Sequence, residues 1–204
     1  MKEPMEIVLA TRNPGKVREV RALLAGLPVT LRTAASFAGA PEVVEDAPTL
    51  EGNARKKALA LHRHTGLPAL ADDTGLEVMA LGGRPGVHSA RFAGPDADDA
   101  ANRAKLLREL SGAADRSARF RTVVAFAEDG EVRFFEGVCP GRILEEERGA
   151  GGFGYDALFV PEGETRTFAE LGPAEKNAVS HRGRALRKLA AYLRARLGEP
   201  PKGA

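Results

Sequence analysis

The chain contains one cysteine, Cys139, among its 204 residues. A single thiol cannot close an internal disulfide, and this usage fits a reducing cytoplasm. No apolar run approaches the roughly 20 residues that a membrane-spanning helix needs, and no signal-peptide apolar segment is visible. An excess of one charge is also missing: 30 Lys and Arg face 28 Asp and Glu, for a formal net charge of +2. That balance leaves no basic footprint for nucleic acid, so neither a nucleic-acid nor a membrane partner is expected. Repeats and low-complexity linkers are absent too, so residues 1–204 are expected to form a single domain. What is present is a 43% hydrophobic content, enough for a sizeable core at this length. The opening Met1-Lys2-Glu3-Pro4 and the tail Glu199-Pro200-Pro201-Lys202-Gly203-Ala204 are expected to be loose, with order beginning near Met5.

Hydrophobic periodicity predicts alternating elements. Strands are expected at Glu6–Ala10, Val29–Thr33, Ala69–Asp72 and Ala157–Val160. Helices are expected at Pro14–Ala25, Thr49–His64, Asp98–Leu110 and from Ser180 to Arg196. In the last of these, Leu186, Leu189, Ala190, Leu193 and Leu197 form one apolar stripe. Arg119–Glu128 and Val132–Pro140 read as two strands of a hairpin turning at Asp129-Gly130. Strand–helix–strand units followed by a hairpin imply an α/β fold, a mixed β-sheet flanked by helices.

The chemistry concentrates in five places. In Ala69-Leu70-Ala71-Asp72-Asp73-Thr74-Gly75, a short apolar run ends in adjacent carboxylates, and Gly75 reads as the turn that stops the strand. Two anions at a strand end repel each other; a divalent cation and a phosphate substrate would give them a purpose. Capping of the next element is the alternative, because Asp is common in turns. In Thr11-Arg12-Asn13-Pro14-Gly15-Lys16, Asn13 is a favoured N-cap and Pro14 suits the first helical position. The helix N-terminus so formed aims backbone N–H groups outward, with Arg12 and Lys16 beside it, an arrangement suited to an anion. It is not a Walker A loop, since Ala10 and Val17 occupy the positions of its first glycine and its Ser/Thr.

The third place is Glu45, in an acidic loop, with Asn53 and Lys57 one helical turn apart on a shared face. Lys57 is expected to face inward and Lys56 to be solvated. The fourth is Gly149-Ala150-Gly151-Gly152-Phe153-Gly154-Tyr155-Asp156, where glycines permit close backbone approach and two aromatic faces could stack on a base or plug the core. The fifth is Lys176 followed by Ser180-His181-Arg182-Gly183, which offers donors to an anion or a carbonyl oxygen.

In family order, these blocks resemble the inosine/xanthosine triphosphate pyrophosphatases. The resemblance also takes in Pro85-Gly86-Val87-His88-Ser89-Ala90-Arg91 and Glu175-Lys176-Asn177, and it covers nearly the whole chain. It implies an elongated sheet, two lobes with the active-site cleft between them, and a homodimer. It further implies Mg²⁺-dependent hydrolysis of noncanonical purine nucleoside triphosphates (ITP, dITP, XTP) to monophosphate and pyrophosphate. By resemblance, Thr11, Arg12, Asn13, Pro14, Gly15, Lys16 and Thr74 contact the phosphates. Glu45 and Asp73 hold Mg²⁺, and Asp73 accepts the proton of the attacking water. Lys16, Lys57 and Asp72 complete the catalytic charge network. Phe153, Gly154, Tyr155 and Asp156 enclose base and sugar, while Lys176, His181 and Arg182 read the purine 6-keto oxygen. The chain departs from the family pattern with Thr74 for Ser, Gly52 for Glu, His88 for Tyr, and Asp46 as a competing metal ligand. A pyrophosphatase for modified pyrimidine nucleotides and a noncatalytic nucleotide sensor remain as other readings.

Overall fold

The computed structural model describes residues 3–198; the expectations for Met1, Lys2 and the tail from Glu199 fall outside them. Strand β1 is Met5–Leu9, β2 Val29–Thr33, β3 Ala69–Val78, β4 Pro85–Gly86, β5 Ser117–Glu128, β6 Glu131–Ile143 and β7 Phe159–Pro161. Helix α1 is Pro14–Leu23, α2 Leu50–Thr65, α3 Asp99–Glu109, α4 Pro173–Val179 and α5 His181–Leu197. The strands follow the order β2-β1-β3-β5-β6-β7, with β4 paired to β3. β1 runs parallel to both β2 and β3, whereas β4 on β3 and β7 on β6 are antiparallel. The sheet is therefore mixed, as the alternation of elements implied.

The chain folds into two compact units. The first comprises the chain up to Asp73, Val123–Glu136 and the chain from Gly183; the second comprises Thr74–Thr122 and Gly137–Arg182. In the first unit, Ile7, Leu9, Val20, Leu24, Leu70, Val124 and Phe126 pack with Leu186, Leu189 and Leu193. These are inward positions of β1, β3 and β5, of α1 and its C-terminal end, and of the α5 stripe, and burying each such side chain contributes about 1.5–3 kcal/mol. In the second unit, Leu76, Val78, Leu106, Phe120, Tyr155, Leu158, Phe159 and Phe168 form the core.

The local signals that set the elements are visible. Asn13 Oδ1 accepts from the N–H groups of Gly15 and Lys16 at 2.8 and 3.3 Å, capping α1. Thr49 caps α2 through the Gly52 N–H at 3.1 Å. Asp129 and Gly130 have φ of 51° and 80°, the pair of left-handed conformations that a two-residue hairpin turn requires. One expectation is corrected: Gly75 does not end the strand but lies inside β3, which continues to Val78. A Cβ at Gly75 would stand 2.7 Å from the Gly86 carbonyl oxygen, so glycine there admits the backbone of β4. Helix α4 has no counterpart in the sequence reading. Its seven residues are too few for a periodic pattern.

Candidate active site

The first unit gathers the acidic and basic residues singled out in the sequence around one cleft. Thr11, Arg12, Lys16, Glu45, Lys57 and Asp72 line a cavity of about 380 Å³. At one side lies the capped N-terminus of α1. Gly15 is buried at its first turn, and Thr11, Arg12 and Lys16 are the residues of this segment that line the cleft. Lys16 Nζ reaches Asp72 Oδ2 at 2.9 Å, which ties the first turn of α1 to β3.

Asp73 is the deepest of the three carboxylates, only 8% exposed. It takes an Asn53 Nδ2–H hydrogen bond at 3.1 Å and lies 3.5 Å from Lys57 Nζ. Lys57 also donates to Glu45 Oε2 at 3.0 Å and to the Asp72 carbonyl at 2.7 Å. Asn53 is fully buried, and its Oδ1 accepts from the Ala47 N–H at 2.9 Å, which holds the Glu45 loop against α2. Gly52 serves the same loop, since a Cβ there would meet Ala47 Cβ at 2.7 Å. The departure from Glu at this position thus has a steric reason. Asp46 is turned outward to Lys56, with a side chain 64% exposed, so it does not join Glu45 and Asp73.

Charge follows from this geometry. Burial pushes the Asp73 carboxyl up to about 6; Lys57 opposes it, Glu45 adds to it, and the Asn53 hydrogen bond and Lys16 oppose it. Burial also works against the charge of Lys57, but Asp73, Asp72 and Glu45 together outweigh it and hold that ammonium above its ordinary value. Three carboxylates face two lysines, and every oxygen is a hard donor. Among the described residues, no group of three or more His, Cys, Asp or Glu side chains is assembled to hold a metal. Mg²⁺ carried by one or two carboxylates plus substrate phosphate needs no such cage.

The second unit gathers the remaining residues. Thr74 Oγ1 accepts from Arg182 Nη2 at 3.1 Å and lies 2.6 Å from Thr122 Oγ1. Buried Lys176 donates to Asp156 Oδ2 at 2.7 Å, and the same oxygen accepts the Phe153 N–H at 2.9 Å. The Phe153 ring lies 4.7 Å from Lys176 Nζ and 5.5 Å from the Arg182 guanidinium carbon, a cation–π arrangement that fixes its face. His181 is 3% exposed and stacks on Phe120, with centroids 4.5 Å apart. Tyr155 is placed otherwise than a stacking face requires. Its ring is in the core and its hydroxyl donates to the Ser89 carbonyl at 2.7 Å. Burial, with Asp99 nearby, pushes its phenol well above the ordinary value. The sequence reading missed Thr122, Asp99 and Arg103. Nothing in their local pattern marks partners that lie 48 to 55 residues away in sequence.

An α/β fold carrying Arg12 and Lys16 at a capped helix start, a lysine-bridged carboxylate cluster and a cation–aromatic cluster defines a class of protein chemically equipped for a phosphorylated ligand. The chain belongs to the Ham1 family, whose model matches residues 7–192. A dITP/XTP pyrophosphatase of Syntrophobacter fumaroxidans is 56% identical over 184 residues, covering 90% of this chain and 79% of the relative. That of Geobacter sulfurreducens is 53% identical, covering 92% and 96%. Among solved structures, a HAM1 protein from Coxiella burnetii superposes with a TM-score of 0.87 at 43% identity, covering 94% of this chain and 99% of the other. The family resemblance and the mixed α/β sheet read from the sequence are both borne out.

Proposed function

We propose that this protein hydrolyses noncanonical purine nucleoside triphosphates (ITP, dITP and XTP) to the monophosphate and pyrophosphate, removing them from the nucleotide pool. The observation that carries the reading is Lys57 held between Glu45 and Asp73, beside the Lys16–Asp72 pair at the capped end of α1. Support comes also from the names of the relatives, dITP/XTP pyrophosphatases at about half identity across most of the chain.

In this reading Thr11–Lys16 and Thr74 bind the triphosphate, with Arg12 and Lys16 as cations and Thr11 and Thr74 through their hydroxyls. Asp73 takes a proton from water, whose oxygen bonds to the α-phosphorus as the α–β bridging bond breaks and pyrophosphate leaves. Mg²⁺, which Glu45 and Asp73 would hold, supplies charge neutralisation for the departing pyrophosphate. Asp72 fixes Lys16, and Lys57 fixes the carboxylates. Phe153 contributes a stacking face, and Lys176, His181 and Arg182 offer donors to the 6-keto oxygen. The same reading takes the whole chain as one domain and its assembly as a homodimer, which sedimentation would test. It places the enzyme in the cytoplasm; no helix among the described residues is long and apolar enough to cross a membrane.

Pyrophosphate release across a panel of purine and pyrimidine triphosphates, with and without Mg²⁺, tests the proposal. Release from dITP and XTP only with the metal is expected. Release from methylated pyrimidine triphosphates instead, or no release at all, would overturn it.

Lys16→Ala is expected to weaken triphosphate binding far more than it lowers Tm. Lys16 sits at a helix N-terminus, outside the apolar face of α1, and it is partly exposed to the cleft. The check is KM for ITP alongside thermal melting. A large fall in Tm with unchanged KM would make Lys16 a structural residue.

A further inference from the structure

The segment bearing Phe153 is gripped by helix α3. Two residues of α3, one helical turn apart, take both polar groups of Gly154. Asp99 Oδ2 accepts the Gly154 N–H at 2.7 Å, and Arg103 Nη1 donates to the Gly154 carbonyl at 2.9 Å. Gly154 has φ of 62°, a left-handed conformation that turns the peptide toward the helix. With both groups engaged by α3, its backbone is committed to holding the loop. Arg103 is itself held by Glu147 at 2.9 Å.

The helix is a firm support. Asp98 caps it through the Ala101 N–H at 2.7 Å, and Leu106 is fully buried. Buried Asn102 accepts the Ala93 N–H at 2.8 Å and donates to the Ala90 carbonyl at 3.1 Å. Residues on either side of Gly154 are pinned as well, by the Phe153 N–H on Asp156 and the Tyr155 hydroxyl on Ser89. The Phe153 ring is the part of this segment that faces the cationic groups of Lys176 and Arg182.

We propose that Asp99 and Arg103 are positioning residues for substrate selection: a two-pronged clamp from α3 that fixes the Phe153 face against which a purine base stacks. This rests on the reading that the Phe153 region binds the base. The clamp acts on binding and not on the reacting phosphorus, so it changes KM and not kcat.

The test compares Asp99→Ala, Asp99→Asn, Arg103→Ala and Phe153→Ala in the full chain, using ITP. Asp99→Ala and Arg103→Ala are each expected to raise KM about three- to tenfold, the scale of one lost hydrogen bond, with kcat within about twofold. Asp99→Asn keeps an acceptor for the Gly154 N–H and should restore KM. Amide exchange at Gly154, measured without nucleotide, should accelerate in Asp99→Ala and not in Asp99→Asn. An unchanged KM in both alanine variants, while Phe153→Ala raises it, would overturn the clamp and leave the base-binding reading intact. So would a parallel loss of kcat and Tm, which marks a purely structural role. If Phe153→Ala itself leaves KM unchanged, the base-binding reading falls, and the clamp with it.

Discussion

Asp73→Asn is expected to cut turnover at least about 100-fold, the lower end for general-base catalysis. The metal-free protein should meanwhile be as stable as the parent or more so. Asparagine is nearly isosteric and can still accept from Asn53, but it cannot take a proton from water. The stability half follows from the Asp73 carboxyl, which burial pushes up to about 6. The unfolded chain has this carboxyl near 3.9, so the folded state holds the proton more tightly. Stability from this group is therefore present at low pH and lost as pH rises from about 4 through about 6. At neutral pH the parent carries an ionised carboxylate that its surroundings disfavour, and the variant does not. Lys57 keeps Glu45 and the Asp72 carbonyl as partners. Melting curves in a chelator across that pH range, with single-turnover rates at saturating Mg²⁺, check both halves. The gap in Tm should shrink toward acid pH. Near-parental turnover would remove Asp73 from the role of base, and a Tm lowered at neutral pH would mean that its charge holds the cluster together.

ITP, dITP and XTP are expected to be preferred to ATP by up to roughly 10⁴-fold in kcat/KM, the range open to a site built for one hydrogen-bond pattern. Lys176 and Arg182 can only donate. Both are buried, and Asp156 and the Phe153 ring hold the ammonium in place. Hypoxanthine and xanthine bring a 6-keto acceptor to such donors, whereas adenine brings an amino group and sets donor against donor. Guanine shares the keto group, so GTP should be the least discriminated of the common purine nucleotides. Measuring kcat/KM for ITP, XTP, GTP and ATP checks this. Equal values for ITP and ATP would refute the base-reading role of Lys176, His181 and Arg182.

Much of the molecule is legible along the chain because its causes are local. Asn13-Pro14 and Thr49 announce helix starts by their capping chemistry, and Asp129-Gly130 announces the hairpin by its tolerance of positive φ. The α5 stripe is legible because burial repeats at helical spacing. The spacing of Asn53 and Lys57 puts both on one face of α2, and the structure turns that face to Asp73.

Other features depend on partners far away in sequence, and only the tertiary structure decides them. Gly75 looks like a stop, but the nearness of Gly86 makes it the one residue that lets β3 continue beside β4. Glu45 and Asp46 are adjacent and chemically alike. Lys57 draws one inward and Lys56 draws the other outward. Phe153 and Tyr155 look interchangeable as flat faces, yet the ring of Tyr155 is core and that of Phe153 lies against cations. The sequence by itself determined the elements, the residue types of the site and the family, because propensity, capping and periodicity act over a few residues. Which of two neighbouring side chains meets the charge cluster is set by long-range packing, because burial and pairing are properties of the folded surroundings and not of the residue.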